Sequence, residues 1–394
     1  MNAPVQFEEL PCENGMRLGL ATLDSPRTLN GLSLEMCELL TERLQAWADD
    51  PAVALVILAG AGGKAFCAGG DLQALYKSMR ANTSGEPLGN PQAQAFFDCE
   101  YRLDYAIHSY PKPILCWGHG IVMGGGLGLM AGASHRVVTE TSRLAMPEIV
   151  IGLFPDVGGS WILNHMPGRS GLFMALTGAQ LEAGDAIFAG LADYQIASAS
   201  WPALLDQLRQ QPWTGNGDYS VAARGTNDGL LERVLRGLAP ETGAAGGEAA
   251  AGPLRQHLML INTLCNGNDL HEICAEIATL RDHADPWLAR AAAPRAAGAP
   301  GSARLAFELQ QRAPLMSLAE VFRLEFWTAL MCASQGDFAE GIRALLIDKD
   351  KQPRWRPATL AEADDAWARP FLTPPWEAED HPLADLEQGR RAVS

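Results

Sequence analysis

Hydrophobic residues recur along the first half of the chain with two different periods. Residues 53–59 form a continuous, partly β-branched apolar run, which predicts a strand buried on both faces. Before it, apolar positions recur at helical spacing behind Ser33, which we expect to be the N-cap of a helix with Glu35 in its first turn. Residues 113–123 predict a second buried strand, and residues 135–148 predict two short strands. This alternation indicates an α/β fold.

The pattern changes after about Trp201. Runs typical of strands disappear, and helical periodicity dominates, as in residues 254–265 and 318–335. Two tracts of small residues, 239–252 and 289–303, interrupt this pattern. They predict linkers or long surface loops, because they bury too little apolar area to offset the entropy of ordering them.

These patterns predict three segments along the chain. We expect an α/β core over residues 1–200, a mainly helical region over residues 201–380 and a tail over residues 381–394. The composition of the 394 residues, 47% hydrophobic and 19% charged, is typical of globular domains.

The charge balance and the residue patterns narrow the range of possible partners and sites. The chain has 46 acidic and 30 basic residues, a net charge of −16, which argues against a nucleic-acid partner. No apolar run reaches the roughly 18 residues of a membrane span, and the first residues show no leader pattern, so we expect a cytoplasmic protein without a membrane partner. The eight cysteines form no CxxC pair and the eight histidines show no metal-like spacing, so we predict reduced thiols and no metal site.

Two glycine-rich stretches follow buried strands. In the first, Ala68, Gly69 and Gly70 let a backbone N–H approach a ligand closely; alternatively, these glycines serve only the geometry of a tight turn. In the second, residues 124–126 are three glycines before an apolar helical run, which places free N–H groups where an anion or a developing oxyanion is stabilised. A dinucleotide motif would need glycine at Met123, so only a loose resemblance to that motif remains.

Two carboxylates, Glu148 and Asp156, flank turns rich in proline and glycine. They are eight residues apart and can face one cavity, where an apolar setting would separate their pKa values and divide acid and base roles. Alternatively, Asp156 caps a helix that begins at Val157, and Glu148 is a solvent-exposed or paired carboxylate.

In order and spacing, these stretches resemble the crotonase (enoyl-CoA hydratase/isomerase) superfamily. The matching segments are FCAGGDL (66–72), HGIVMGGGLGL (119–129) and AMPEIVIGLFPDVGG (145–159). The resemblance extends over roughly residues 15–372. It implies a crotonase-type spiral of ββα units followed by a mainly helical C-terminal region. It also implies an acyl-CoA substrate, with the amides of Gly70 and Gly125 as the oxyanion hole.

Within the superfamily, the chain looks most like the thioester hydrolases. Gly128 stands where hydratases have their first catalytic Glu, and the later block 336–357 is similar to that of the hydrolases. The resemblance implies hydrolysis of a short-chain acyl-CoA, with 3-hydroxyisobutyryl-CoA of valine breakdown as the expected substrate. Glu148 and Asp156 would be the catalytic pair, and Glu100 a further acid in the substrate site.

The resemblance implies no cofactor, because CoA is part of the substrate. Arg27, Arg343 and Lys349 are candidates for contacts to the CoA phosphates, although exposed basic residues more often form weak surface pairs. Assembly into a homo-oligomer is left open. Two other functions remain: an enoyl-CoA hydratase or isomerase that uses Glu148 alone, and a non-catalytic acyl-CoA binding protein.

Overall fold

The computed structural model describes residues 3–82, 84–215, 221–239 and 252–388. The chain divides into two compact units that alternate along the sequence. The first, here the sheet unit, comprises Met1–Gly70, Ala106–Leu144 and Leu181–Arg255; the second, the helical unit, comprises Asp71–Tyr105, Ala145–Gln180 and Gln256–Ser394. The predicted boundaries at residues 200 and 380 follow composition. Each compact unit, in contrast, is built from three separate segments of the chain.

The described residues form nine strands in two sheets. The strands are β1 (Val5–Pro11), β2 (Arg17–Leu23), β3 (Val53–Gly60), β4 (Ala65–Cys67), β5 (Ile114–Gly118), β6 (Ile121–Met123), β7 (His135–Val138), β8 (Arg143–Ala145) and β9 (Tyr194–Gln195). A six-stranded sheet has the order β1-β2-β3-β5-β7-β9, and a three-stranded sheet has the order β4-β6-β8.

Helices account for most of the remaining described chain. They are α1 (Leu34–Asp49), α2 (Leu72–Ala81), α3 (Pro91–His108), α4 (Gly125–Ala131), α5 (Gly159–Asn164), α6 (Ser170–Thr177), α7 (Ala183–Phe188), α8 (Trp201–Arg209), α9 (Val221–Leu238), α10 (Pro253–Gln256), α11 (Leu258–Leu264), α12 (Leu270–Thr279), α13 (Pro286–Ala297), α14 (Pro300–Arg312), α15 (Leu318–Gln335), α16 (Phe338–Ile342) and α17 (Asp365–Ala368). None of the helices in the described part of the chain is both long and apolar enough to cross a membrane.

The large sheet of the sheet unit is parallel except at one edge. β1 pairs antiparallel with β2, and β2, β3, β5, β7 and β9 follow in parallel. The predicted strand over residues 53–59 is confirmed as β3, which is buried along almost its whole length. The predicted strand over residues 113–123 is divided in two, because the chain turns at Gly120, where φ is +59°.

Helices after Trp201 complete the core of the sheet unit. Leu204 and Leu208 of α8 and Leu231 of α9 belong to the same buried cluster as Leu55 and Ile57 of β3. Packing against these helices removes the apolar side chains of the sheet in this cluster from water.

An aromatic cluster lies in the core of the helical unit. Tyr101 of α3 packs against Phe97 of the same helix, with ring centroids 5.8 Å apart, and against Phe322 and Phe326 of α15 at 5.6 and 6.5 Å. These four side chains are almost completely buried. Their packing fixes α3 against α15.

The local predictions have different outcomes. The helix behind Ser33 is confirmed as α1, and the Ser33 side chain accepts a hydrogen bond from the Met36 amide. Of the tract 239–252, residues 240–251 lie outside the described residues.

The prediction of a linker or loop over residues 289–303 is wrong, because α13 and α14 contain most of this tract. Alanine is the best helix former, and Ala303 has no exposed surface.

The packing of α4 on β4 gives a stability prediction. A Cβ added at Gly126 would lie 2.2 Å from the Cys67 carbonyl oxygen, so Gly126→Ala should destabilise the protein by about 1–3 kcal/mol. As a matched control, a Cβ at Gly229 of α9 meets nothing within 4 Å, and Gly229→Ala should stabilise by about 0.5–1 kcal/mol. Urea denaturation measures both; equal effects of the two substitutions would contradict the packing described here.

Candidate active site

The first glycine turn follows β4 directly. Gly69 has φ +106°, a conformation that favours glycine, and its carbonyl accepts a hydrogen bond of 2.8 Å from the Leu32 amide. Asp71 caps the next helix, since its side chain accepts hydrogen bonds from the Gln73 and Ala74 amides at the start of α2.

The structure brings the second glycine turn next to the first within the sheet unit. α4 begins at Gly125 behind Gly124, which has φ +49°. A Cβ built on Gly69 would lie 3.5 Å from the Met123 carbonyl oxygen and 4.0 Å from the Gly125 nitrogen. The Gly125 N–H has no acceptor within its own helix, because it belongs to the first turn. Backbone donors at this point suit an anion or a developing oxyanion.

Glu148 is buried in the helical unit. It begins a short 3₁₀ turn, Glu148–Ile151, and only 4% of the residue is exposed. Its Oε2 atom has no hydrogen-bond partner in the part of the chain that the structure describes. An unpaired carboxyl oxygen in this setting is costly, so it is a candidate for contact with a ligand.

Asp156 is also buried, and its Oδ2 accepts a hydrogen bond of 2.9 Å from the Tyr101 hydroxyl. The helix cap predicted as an alternative is not formed. α5 begins only at Gly159, and its first amides are bound by Glu325 of α15, which accepts from Gly158 N at 2.7 Å and Ser160 N at 2.9 Å. Asp156 is therefore left to interact with Tyr101.

Helix α3 contributes two further acids. Glu100 and Asp104 are one helical turn apart and are 2% and 0% exposed. Neither carboxyl oxygen of Asp104 has a hydrogen-bond partner among the described residues. We call Glu100, Asp104, Glu148, Asp156 and Glu325 the acid cluster.

Burial dominates the titration of the acid cluster. It raises the pKa of Asp156 to about 7, against the lowering effect of the Tyr101 hydroxyl, and the pKa of Glu325 to about 8, against its two amide donors. Burial and the neighbouring acids, Asp156 first, raise the pKa values of Glu100, Glu148 and Asp104 well above their usual range. The cluster therefore retains protons near neutral pH and loses them in coupled steps.

Sequence reasoning missed Tyr101, Asp104 and Glu325. The spacing of Glu100 and Asp104 places two acids on one helix face beside buried aromatic residues, and Glu325 interrupts an apolar stretch of α15. Both patterns are present in the sequence, but neither indicates which group forms a hydrogen bond with each acid. No group of three His, Cys, Asp or Glu side chains within the described ranges is placed to hold a metal ion.

The predicted basic residues lie in different surroundings. Arg27 lines a cavity of about 370 Å³ in the sheet unit, together with Lys64, which the sequence analysis did not select. In the helical unit, the Arg343 guanidinium is bound to Glu340, Asp348 and Asp350. Lys349 is exposed in the following turn.

Comparison with known proteins identifies the class of protein to which this fold belongs. The model of the family "Enoyl-CoA hydratase/isomerase" matches residues 18–372, so the chain belongs to this family, the crotonase superfamily.

Two curated relatives are similar in sequence over most of the length of this chain. The chain is 35% identical over 347 residues to "3-hydroxyisobutyryl-CoA hydrolase, mitochondrial" of Gallus gallus, covering 88% of this chain and 84% of the relative. It is 34% identical over 358 residues to the human protein of the same name, covering 91% and 86%.

Among solved structures, an enoyl-CoA hydratase from Rhodobacter sphaeroides is 34% identical with a TM-score of 0.76, covering 94% of this chain and 98% of that one. A carnitinyl-CoA dehydratase from Mycobacterium thermoresistibile is 34% identical with a TM-score of 0.77, covering 95% and 97%. The predicted crotonase fold is confirmed.

The raised pKa values predict how stability depends on pH. A carboxyl whose pKa is higher in the folded state binds more protons there than in the unfolded chain, so stability falls as pH rises through the interval between the two values. The free energy of unfolding should therefore decline between pH 5 and 8, by about 1.4 kcal/mol for each unit of pKa difference. Asp156→Asn should remove part of this decline, because the pKa of Asp156 is raised to about 7.

Urea denaturation across this pH range measures the effect, with Asp282→Asn at an exposed position as the control. A stability that rises from pH 5 to 8, or the same pH dependence in Asp156→Asn as in the wild type, would contradict the protonated cluster.

Proposed function

We propose that this protein hydrolyses a short-chain acyl-CoA thioester, with 3-hydroxyisobutyryl-CoA as the substrate. The curated relatives from Gallus gallus and Homo sapiens carry the name of that hydrolase, and each match covers more than four fifths of both chains. Membership of the enoyl-CoA hydratase/isomerase family supports an acyl-CoA substrate.

The lack of a side chain at Gly128 is the observation that favours hydrolysis over hydration. It lies buried within α4, at the position of the first catalytic Glu in hydratases, and offers no side chain. Hydration of an enoyl thioester uses two carboxylates around one water, one to accept its proton and one to protonate the α-carbon. Hydrolysis requires no acid at that position.

In this proposal the backbone amides of Gly70 and Gly125 donate to the thioester carbonyl oxygen. The adjacent placement of the two glycine turns in the sheet unit supports this assignment of the two amides. Negative charge develops on that oxygen as the carbonyl is attacked, and one such donor is typically worth about 2.7–4 kcal/mol.

Glu148 is the proposed catalytic carboxylate, acting in the ionised form that it reaches as the pH rises and its proton is lost. Its carboxylate either attacks the carbonyl carbon to form a mixed anhydride that water then opens, or removes a proton from the attacking water. In both routes the C–S bond breaks, CoA leaves as the thiolate and takes up a proton, and the acyl group leaves as a carboxylate. The unpartnered Oε2 of Glu148 supports either role.

Asp156 and Glu100 are the proposed substrate-binding acids. Asp156 orients the substrate hydroxyl or the attacking water, and the Tyr101 hydroxyl holds its carboxyl in place. Arg27 and Lys64, which line one cavity, are proposed to contact the CoA phosphates.

A hydratase or dehydratase is the second candidate. The names of the two solved structures at 34% identity favour it, and Glu148 alone would serve as the acid or base. A binding-only protein is the least favoured, because it gives no reason for the strongly raised pKa values of the acid cluster.

Replacing Glu148 tests the proposal. Glu148→Gln should reduce thiol release from 3-hydroxyisobutyryl-CoA by about 10²–10⁴-fold, because the amide neither attacks the carbonyl nor accepts a proton. CoA binding should persist, and the exposed control Glu276→Gln should behave as the wild type. Loss of enoyl absorbance from crotonyl-CoA without thiol release from the hydroxyacyl substrate would favour the hydratase, and unchanged hydrolysis in Glu148→Gln would remove this residue from the mechanism.

Tyr101→Phe should shift the pH dependence of hydrolysis. The Tyr101 hydroxyl lowers the pKa of Asp156, so its removal should raise that pKa and move the rising limb of kcat/KM to higher pH. Tyr105→Phe deletes a hydroxyl from the same helix, near Arg323 and Glu387, and should leave the profile unchanged. Equal pH profiles for Tyr101→Phe and the wild type would show that this hydrogen bond does not position a carboxyl that takes part in the reaction.

A further inference from the structure

A segment near the end of the described chain packs against the helical unit. Residues 376–386, here called the C-terminal strap, follow the residues 18–372 that match the family model. His381 and Leu383 of the strap are 6% and 0% exposed, and Leu386 is also buried. The strap therefore lies outside the segment shared with the family, yet its apolar side chains belong to the folded helical unit.

Helix α3 binds the strap through Arg102. The Arg102 guanidinium donates to the Pro382 carbonyl at 2.6 Å and to both carboxylate oxygens of Asp385 at 2.8 and 3.0 Å. It also pairs with Asp98, one turn earlier on the same helix. Arg102 directly follows Tyr101 in the sequence, so the strap contacts α3 next to the tyrosine that binds the acid cluster.

Helix α15 binds the same strap through Arg323. The Arg323 guanidinium donates to the carbonyls of Leu383 and Ala384 at 3.1 and 3.3 Å. Arginine can donate several hydrogen bonds in a fixed planar arrangement, which suits carbonyl acceptors on consecutive residues. Because one short segment is bound by arginines from both helices, the strap connects α3 to α15.

His381 links the strap to α15 in a second way. The Leu383 amide donates to Nδ1 of His381 at 2.9 Å, so Nε2 carries the ring proton and donates to the Arg323 carbonyl at 3.1 Å. Burial, together with the guanidinium groups of Arg323 and Arg102, lowers the pKa of His381 to about 4, against the raising effect of the Arg323 carbonyl. The ring is therefore neutral near neutral pH, with a partner for each nitrogen.

Contacts between rings continue from the strap to the acid cluster. His381 packs against Phe326 of α15 with ring centroids 5.8 Å apart, and Phe326 packs against Tyr101 at 6.5 Å. Trp376 of the strap lies 5.0 Å from the His381 ring and 6.2 Å from that of Phe326. The Tyr101 hydroxyl in turn donates to Asp156 at 2.9 Å. Close-packed side chains transmit strain, because few voids separate them.

We propose that the C-terminal strap is a positioning element for the acid cluster, in which His381 and Leu383 hold the Tyr101 hydroxyl at Asp156. When the strap is loosened, this hydroxyl leaves Asp156, and the carboxyl keeps its proton to higher pH, since the hydrogen bond favours the ionised form. The titratable groups that face Tyr101 and Asp156 are the other members of the acid cluster and the Cys332 thiol. Uncharged substitutions in the strap leave all of these groups in place.

Infrared titration of the Asp156 carboxyl tests this role. The C=O band that Asp156→Asn removes reports protonated Asp156, and in the wild type it should disappear with a midpoint at about pH 7. Leu383→Ala should raise this midpoint by about one pH unit, the size expected when a hydrogen bond to a charged group is lost. Leu383→Met nearly conserves the volume and should restore the midpoint. Leu270→Ala removes a similarly buried leucine from α12 of the same unit, and as the matched control it should leave the midpoint unchanged.

A second variant and a double substitution separate positioning from a general loss of stability. His381→Asn keeps an acceptor for the Leu383 amide but loses the bond to the Arg323 carbonyl and the ring contact with Phe326, so it should also raise the midpoint. In a Tyr101→Phe background, where the hydroxyl is already absent, neither strap substitution should shift the midpoint further.

Three results would overturn the proposal. They are an unchanged midpoint in both Leu383→Ala and His381→Asn, an equal shift in Leu270→Ala, and the same shift with and without the Tyr101 hydroxyl. If Leu383→Ala does not fold, His381→Asn alone decides. Because the titration needs no substrate, its outcome does not depend on the proposed hydrolysis.

Discussion

Desolvation of carboxyl groups is the constraint on which the helical unit depends. Five acids from three separate parts of the sequence are almost completely removed from water, and burial is the largest cause of every raised pKa among them. Asp156 and Glu325 receive donors from other segments of the described chain, through Tyr101 and the amides at the start of α5. Among the described residues, Glu148 and Asp104 have carboxyl oxygens without hydrogen-bond partners, so a ligand or retained protons must satisfy them.

The same contacts hold a strained backbone in place. Val157 has φ +54°, which is unfavourable for a β-branched residue and costs of the order of 1–3 kcal/mol. It lies between Asp156, which is bound to Tyr101, and Gly158, whose amide is bound to Glu325. These hydrogen bonds on either side fix the position of the Asp156 carboxyl, and such strain is typical of functional sites.

Sequence patterns predicted what depends on local spacing. The helix behind Ser33, the buried strand β3 and the two glycine turns follow from periodicity or from backbone chemistry, and the structure contains them. The family motifs led to Glu100, Glu148 and Asp156. The partners Tyr101 and Glu325 come from distant segments, and only packing shows which donor meets which carboxyl.

The failure at residues 289–303 has a different origin. Composition indicated a tract unable to bury apolar area, yet alanine favours helix and fits where larger residues do not. The interleaved units were also beyond local patterns, because segments far apart in the chain pack into each unit.

Infrared difference spectroscopy of the carboxyl groups tests the central claim most directly. The account predicts that the C=O band of protonated carboxylic acids persists at pH 7 in the wild type, decreases as pH rises above 8, and loses intensity when Asp104 or Glu148 is replaced by its amide. A spectrum at pH 7 with ionised carboxylates alone would contradict it, since the buried acids would then carry several unpaired charges in one apolar region.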